Sequence, residues 1–200
     1  MHRLSCLFPL LLALAVAMPS RAAEPVALRI PAHPAEHYAG GPSELPVLLR
    51  VPRGAGPHSA VVLLHGCGGM RSASGEVMAR DADWGLRLVA LGYVVLHLDS
   101  LSPRGERSLC AQGDVRRVRM SVERARDAYA ALIFLQTRAD IRPEAIALMG
   151  WSNGGGTVLW SLSRDNRARP AGLRHDFAAG VAFYPGCRMP LTCYCGLPPR

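Results

Sequence analysis

The run Met149-Gly150-Trp151-Ser152-Asn153-Gly154-Gly155-Gly156 constrains this chain more than any other. It follows Ala145-Ile146-Ala147-Leu148, an apolar stretch suited to a buried strand. It precedes Thr157-Val158-Leu159-Trp160-Ser161-Leu162, which suits a helix. Strand, Gly-x-Ser-x-Gly and helix in that order make the context of a nucleophile elbow, a sharp turn that lifts a serine above the end of a sheet. Gly150 and Gly154 belong to that reading because bulky side chains would collide around so tight a turn. Ser152 is the expected nucleophile, and a helix starting near Asn153 would aim its unpaired N–H groups at the same space.

The rest of the chain alternates in a way that fits this elbow. Val26 to Ile30 and Leu45 to Val51 read as strands, the second ended by the turn cluster Pro52-Arg53-Gly54-Ala55-Gly56-Pro57. Ala60 to His65 and Tyr93 to Leu98 are continuous apolar runs of the kind buried on both faces. Helices are expected over Glu76–Leu91, stopped by Gly92, over Val115–Arg138, and over Asn153–Ser163. Ala178 to Tyr184 is the last clear strand. Strands alternating with helices imply an α/β fold, a mostly parallel sheet flanked by helices.

Charge invites a nucleic-acid reading, since the formal net charge is +8. All 23 basic residues are arginine, however, and they are scattered, which points to compositional bias and away from a nucleic-acid partner. The densest group, Arg116-Arg117-Val118-Arg119, alternates with the stripe Val115, Val118, Val122, Ala125, Tyr129, Leu132 and reads as the solvated face of a helix. The N-terminus has the form of an export signal at residues 1–22: Arg3, an apolar run from Leu4 to Met18, and small residues at Ser20 and Ala22. Cleavage there implies an exported, periplasmic or secreted chain with no stable membrane span, because the apolar run falls short of the ~20 residues a span needs. Cys67, Cys110, Cys187, Cys193 and Cys195 would then meet an oxidising compartment, where some are expected to pair; sequence leaves the pairing open.

Acyl transfer by serine requires an activated nucleophile, a base held by an acid, and N–H donors for the oxyanion. The donors have a candidate in Val61-Val62-Leu63-Leu64-His65-Gly66-Cys67-Gly68-Gly69, an apolar strand running into a loop of small residues. The backbone N–H of Cys67 is one expected donor and that of Asn153 the other, with His65, Gly66 and Gly68 supporting the loop. Asp99, after its strand, is expected to anchor the loop from Ser100 to Arg104.

The segments Pro46 to Pro52, His65 to Gly69, Asp99 to Gly105, Gly150 to Gly155 and Phe183 to Cys187 follow one another in a way that resembles the dienelactone hydrolase family, across residues 45–187. The resemblance implies an α/β-hydrolase fold over residues 45–190, behind a loop-rich segment at 23–44. It also implies cleavage of an ester or lactone in a small molecule, with no cofactor. The chain departs from the family in two ways. Ser152 stands where dienelactone hydrolase proper carries a cysteine. The family's acid and histidine follow the elbow, after two further strand–helix units, and those units are missing here. The tail at 191–200, with Cys193, Cys195, Pro198 and Pro199, reads as irregular, the mark of a truncated or frame-altered end. The alternative reading is an impaired fragment or a binding remnant of the same fold. His175-Asp176 is a poor substitute base, since it precedes the last strand. His33-Pro34-Ala35-Glu36-His37 matches a zinc-hydrolase pattern, but Pro34 opposes the helix that pattern needs. No metal site is expected.

Overall fold

The computed structural model describes residues 24–33, 41–112, 117–163 and 166–185. Within them the chain forms strands β1 (Val26–Pro31), β2 (Glu44–Arg50) and β3 (His58–Leu64), helix α1 (Ala79–Ala90), and strand β4 (Val94–Leu98). Helix α2 (Glu123–Gln136), strand β5 (Ile141–Trp151), helix α3 (Asn153–Leu162) and strand β6 (Ala179–Phe183) follow. The strands make one sheet in the order β1-β2-β4-β3-β5-β6. β2 lies antiparallel to β1 on one side and to β4 on the other, and β4, β3, β5 and β6 run parallel. The sheet thus reaches back through β1 into the segment ahead of residue 45.

The apolar runs are continuous because the central strands are covered on both faces. Val62, Leu64, Leu96 and Leu148 point to one face, where Ala128, Tyr129 and Leu132 of α2 and Val158 of α3 cover them. Val61, Leu63, Val95 and Met149 point to the other, under Leu88 and Val89 of α1. Tyr129 is buried with its hydroxyl donating to the Ser161 carbonyl at 2.8 Å, which joins α2 to α3.

Two helices are shorter than periodicity predicts. α1 begins at Ala79, not Glu76, because residues 71–77 close a small antiparallel turn: Ser72 N–H donates to the Glu76 carbonyl and Arg71 bridges Val77. Gly75, at φ 86°, makes that turn possible. α2 begins at Glu123, not Val115. Val118 leaves the helical stripe and joins Leu101 and Leu109 in a separate cluster beside Cys67. The Glu123 carboxylate then accepts the Arg119 N–H at 2.7 Å and pairs with the Arg119 guanidinium at 2.7 Å, holding the chain in a turn before the helix. The expected solvated helix face of Arg116, Arg117 and Arg119 is corrected accordingly: Arg117 and Arg119 precede the helix, and Arg116 lies outside the described residues.

His97 sits inside β4, with its ring against Gly85 of α1, where even a Cβ would come within 2.5 Å of Nε2. Burial, helped by the Arg50 charge, pushes its pKa down to about 4. A free histidine titrates near 6.5, so between those values the unfolded chain binds the extra proton. Stability therefore falls as pH drops from 6.5 towards 4, and the His97 share is about 1–2 kcal/mol between pH 6.5 and 5. We expect His97→Gln to flatten the dependence of Tm on pH over that window. Parallel melting curves for the two proteins would count against this account.

Candidate active site

Strands β3, β4, β5 and β6 all end at one edge of the sheet, and the loops leaving them meet there. Such an edge, where successive connections diverge to opposite sides, is the usual place for a site in an open α/β sheet. Ser152 stands between β5 and α3 at φ 51° and ψ −115°, a left-handed, strained conformation for a residue with a side chain. Its N–H donates to the Phe183 carbonyl at 3.0 Å and its carbonyl accepts from Gly156 at 2.9 Å, so both sides of the turn are fastened. The turn demands its glycines. A Cβ on Gly150 would lie 2.5 Å from the Gly154 carbonyl, and one on Gly154 would run into the carbonyls of Leu64 and His65. The elbow is thus packed backbone to backbone against the end of β3.

That packing brings the predicted oxyanion loop to the serine. β3 and β5 pair in register through Leu64 and Gly150; His65 then leaves the sheet, and β5 ends one residue later at Trp151. A side chain built on Gly66 would come 3.9 Å from the Ser152 Cβ. Beside Gly68 there is open space, and the close approach falls on its neighbour. Gly69 has φ 88°, and a Cβ on it would lie 2.6 Å from the Arg107 carbonyl. Among the described residues, nothing accepts from the Cys67 or Asn153 N–H.

His65 holds the loop from within. It is buried, and its Nδ1 lies 2.7 Å from the Gly66 carbonyl while the Ser100 N–H points at Nε2 from 3.4 Å. Those partners assign one tautomer: Nδ1–H donates to Gly66 and Nε2 accepts from Ser100. The Gly66 carbonyl and the Cys67 N–H belong to the same planar peptide and point in opposite directions. By holding the carbonyl, His65 therefore aims the Cys67 N–H. Burial, with the Arg124 charge next, pushes the His65 pKa down to about 3, so the ring stays neutral and keeps this tautomer.

The neighbouring loop is anchored as expected. Asp99 accepts from the Leu101 and Ser102 N–H groups at 3.0 and 3.1 Å and from the Ser102 hydroxyl at 2.6 Å. Arg104 ties the loop to α2 through a two-pronged pair with Asp127 at 2.8 and 2.9 Å. On the other side of the elbow, Trp151 stacks on Phe183 at 5.7 Å and carries the Arg80 guanidinium 4.7 Å above its ring.

Sequence reasoning missed two features. Cys67 and Cys110 form a disulfide, and the Leu109 N–H donates to the Cys67 carbonyl at 2.8 Å, so the loop is stapled one residue after Gly66, the glycine beside Ser152. Cys187, Cys193 and Cys195 lie outside the described residues. The second is Arg124, fully buried, which donates to the Asn153 side-chain carbonyl and, at 2.7 Å, to the His65 backbone carbonyl. A signal existed: Arg124 adjoins Ala125 and sits four residues before Ala128, on the apolar face of its helix, where an unpartnered cation would be costly.

No described imidazole hydrogen-bonds to the Ser152 hydroxyl. His175 lies before β6, at the opposite edge of the sheet, with its carbonyl bonded to Gln136 at 2.7 Å, and Asp176 pairs with Arg169 at 2.7 Å. Of the zinc-like pattern only His33 is described, and no group of three or more His, Cys, Asp or Glu that could hold a metal occurs among the described residues. Nor is any described helix long and apolar enough to cross a membrane.

Comparison with known proteins agrees with this architecture. The structure superposes on dipeptidyl peptidase 4 of Porphyromonas gingivalis with a TM-score of 0.56 at 24% identity, covering 82% of this chain and 21% of that one. It matches a Klebsiella pneumoniae protein named as a dienelactone hydrolase with a TM-score of 0.55 at 14% identity, covering 82% and 61%. Esterase 2 of Thermogutta terrifontis gives 0.53 at 17% identity, covering 80% and 56%. The fold is that of the α/β-hydrolases. In sequence, the chain is 27% identical over 126 residues to YtaP of Bacillus subtilis (strain 168), named as a hydrolase, across 57% of this chain. The chain spans 42% of YtaP. No protein-family profile matches it.

The staple yields a prediction. A link closing a loop with a separation of 43 residues stabilises by roughly 2–4 kcal/mol. Cys110→Ser removes the staple without changing residue 67, so we expect it to lower Tm and to slow labelling of Ser152 by a fluorophosphonate. Dithiothreitol should produce the same losses in the unaltered chain and none in the variant. Equal labelling before and after reduction would separate the staple from the site.

Proposed function

We propose that this chain is a serine hydrolase of the dienelactone hydrolase type, acting on a small-molecule ester or lactone after export. The observation that carries the reading is Ser152, held at φ 51° over the end of β5 with Gly66 beside it. In this reading the Ser152 Oγ attacks the carbonyl carbon and the carbonyl π pair moves to oxygen. The resulting oxyanion lies between the Cys67 and Asn153 N–H groups, at the positive end of α3. Collapse of the tetrahedral adduct expels the alkoxide, which takes up a proton, and water then releases the acid from the acyl-serine.

The hydroxyl proton requires an acceptor, and His65 is not it: the ring is buried and its two nitrogens are engaged by Gly66 and Ser100. In the family resembled, the base is supplied by a loop that follows the elbow strand by two further units. Without such a group, the oxyanion donors and binding still leave roughly 10³–10⁴-fold catalysis over water in comparable serine enzymes.

Fluorophosphonate labelling of the purified 200-residue chain should be slow, as the want of a base requires, but confined to Ser152, and Ser152→Ala should abolish it. p-Nitrophenyl acetate turnover should be weak and insensitive to His175→Ala. Equal labelling of the Ser152→Ala protein would refute the assignment, and loss of turnover on His175→Ala would mean that His175 reaches the site after all. Total inertness with intact, cooperative melting would favour the binding-remnant reading.

A further inference from the structure

We infer that Arg124 is a positioning residue that couples the two oxyanion donors, one guanidinium holding both the loop that presents Cys67 and the residue, Asn153, that presents the second N–H. The inference rests on the assignment of those two N–H groups proposed above. Arg124 comes from α2 and has no place in the sequence motifs of the elbow or the loop. Its two acceptors lie 59 residues before it and 29 after it in the chain.

Each contact leads to one donor. On the loop side, Arg124 Nη2 donates to the His65 carbonyl at 2.7 Å and lies 3.5 Å from His65 Nδ1. With Nδ1 protonated, that second approach is a packing contact, and it seats the ring that holds the Gly66 carbonyl and so aims the Cys67 N–H. On the elbow side, Nη1 donates to Asn153 Oδ1. Asn153 is buried, and its Nδ2 has no acceptor among the described residues, so Arg124 fixes the orientation of this side chain. Asn153 is also the first residue of α3, directly after the strained Ser152.

A buried cation at this position is not explained by stability. Well-packed apolar residues often replace buried charges at no loss or with a gain. What an apolar side chain cannot do is accept the directional task of joining a carbonyl from the β3 loop to an amide on the β5–α3 turn. The guanidinium, with a rigid fork of donors, can.

The test uses the full chain labelled with ¹⁵N, the variants Asn153→Ala and Arg124→Lys, and the two combined. Lysine keeps the charge but presents it as a single point, without the fork. Arg124→Lys should move the amide cross-peaks of both Cys67 and Asn153 and leave those of Ala27 and Leu48, paired in β1 and β2, in place. Asn153→Ala should move the Cys67 cross-peak, and that displacement should at least halve once Arg124→Lys is already present. Fluorophosphonate labelling of Ser152 should slow by roughly 10- to 100-fold in Arg124→Lys, the penalty of misplaced catalytic groups, with cooperative melting retained. A Cys67 displacement of equal size in both backgrounds would overturn the coupling. If Arg124→Lys does not fold, Asn153→Ala decides alone, and an unmoved Cys67 cross-peak defeats the proposal. If the unaltered chain is not labelled at all, the proposed function fails, while the cross-peaks still decide the role of Arg124.

Discussion

The backbone of Gly154 lies against the carbonyls of Leu64 and His65, and Gly150 lies against Gly154. This contact between the elbow and the end of β3 sets the geometry of everything above the sheet. It exists only because no side chain intervenes. It requires β3 and β5 to be immediate neighbours, in the register that pairs Leu64 with Gly150. From it follow the strain at Ser152, the position of Gly66 beside the serine, and the way α3 starts over the site. A shift of one residue would exchange the side chains packed under α1 with those packed under α2 and α3, so the fit of both cores opposes it. The core on either side of the sheet thus holds the site in place.

Around that contact, the loops are secured by polar groups that work in series. Asp99 closes its own turn, Arg104 carries the turn to Asp127 on α2, and Arg124, three residues before Asp127, reaches the His65 loop and the elbow. The Cys67–Cys110 link fastens the far side of the same loop. α2 is therefore more than a cover for the sheet. Its first turns carry the charged groups that fix the loops, and its later turns carry the Ala, Tyr and Leu residues of the core. A helix that began at Val115, as the apolar stripe suggested, would draw Val118 out of its cluster with Leu101 and Leu109.

The elbow was legible in the residues because local chemistry determines it. A serine between two glycines, after an apolar strand and before a helix, has few other ways to fold. The central strands were legible for a similar reason: long apolar runs must be buried on both faces, and their order fixes which ends carry loops. The anchoring role of Asp99 followed from its place at a strand end. The starts of α1 and α2 were not legible. They depend on a turn closed by Gly75 and on Glu123 folding back on Arg119, and periodicity does not register such competition for the backbone.

What the sequence by itself determined is the alternating strand–helix order, the elbow at Ser152 and the small-residue loop at His65–Gly69, since each follows from steric need or burial within a few residues. Only the tertiary structure decided that Cys67 pairs with Cys110, that His65 aims the Cys67 peptide, and that Arg124, one of 23 scattered arginines, is buried between the loop and the elbow. These contacts join segments tens of residues apart. Their partners meet only once the sheet has set β3 beside β5 and laid α2 across it, so no local pattern of residue types could specify them.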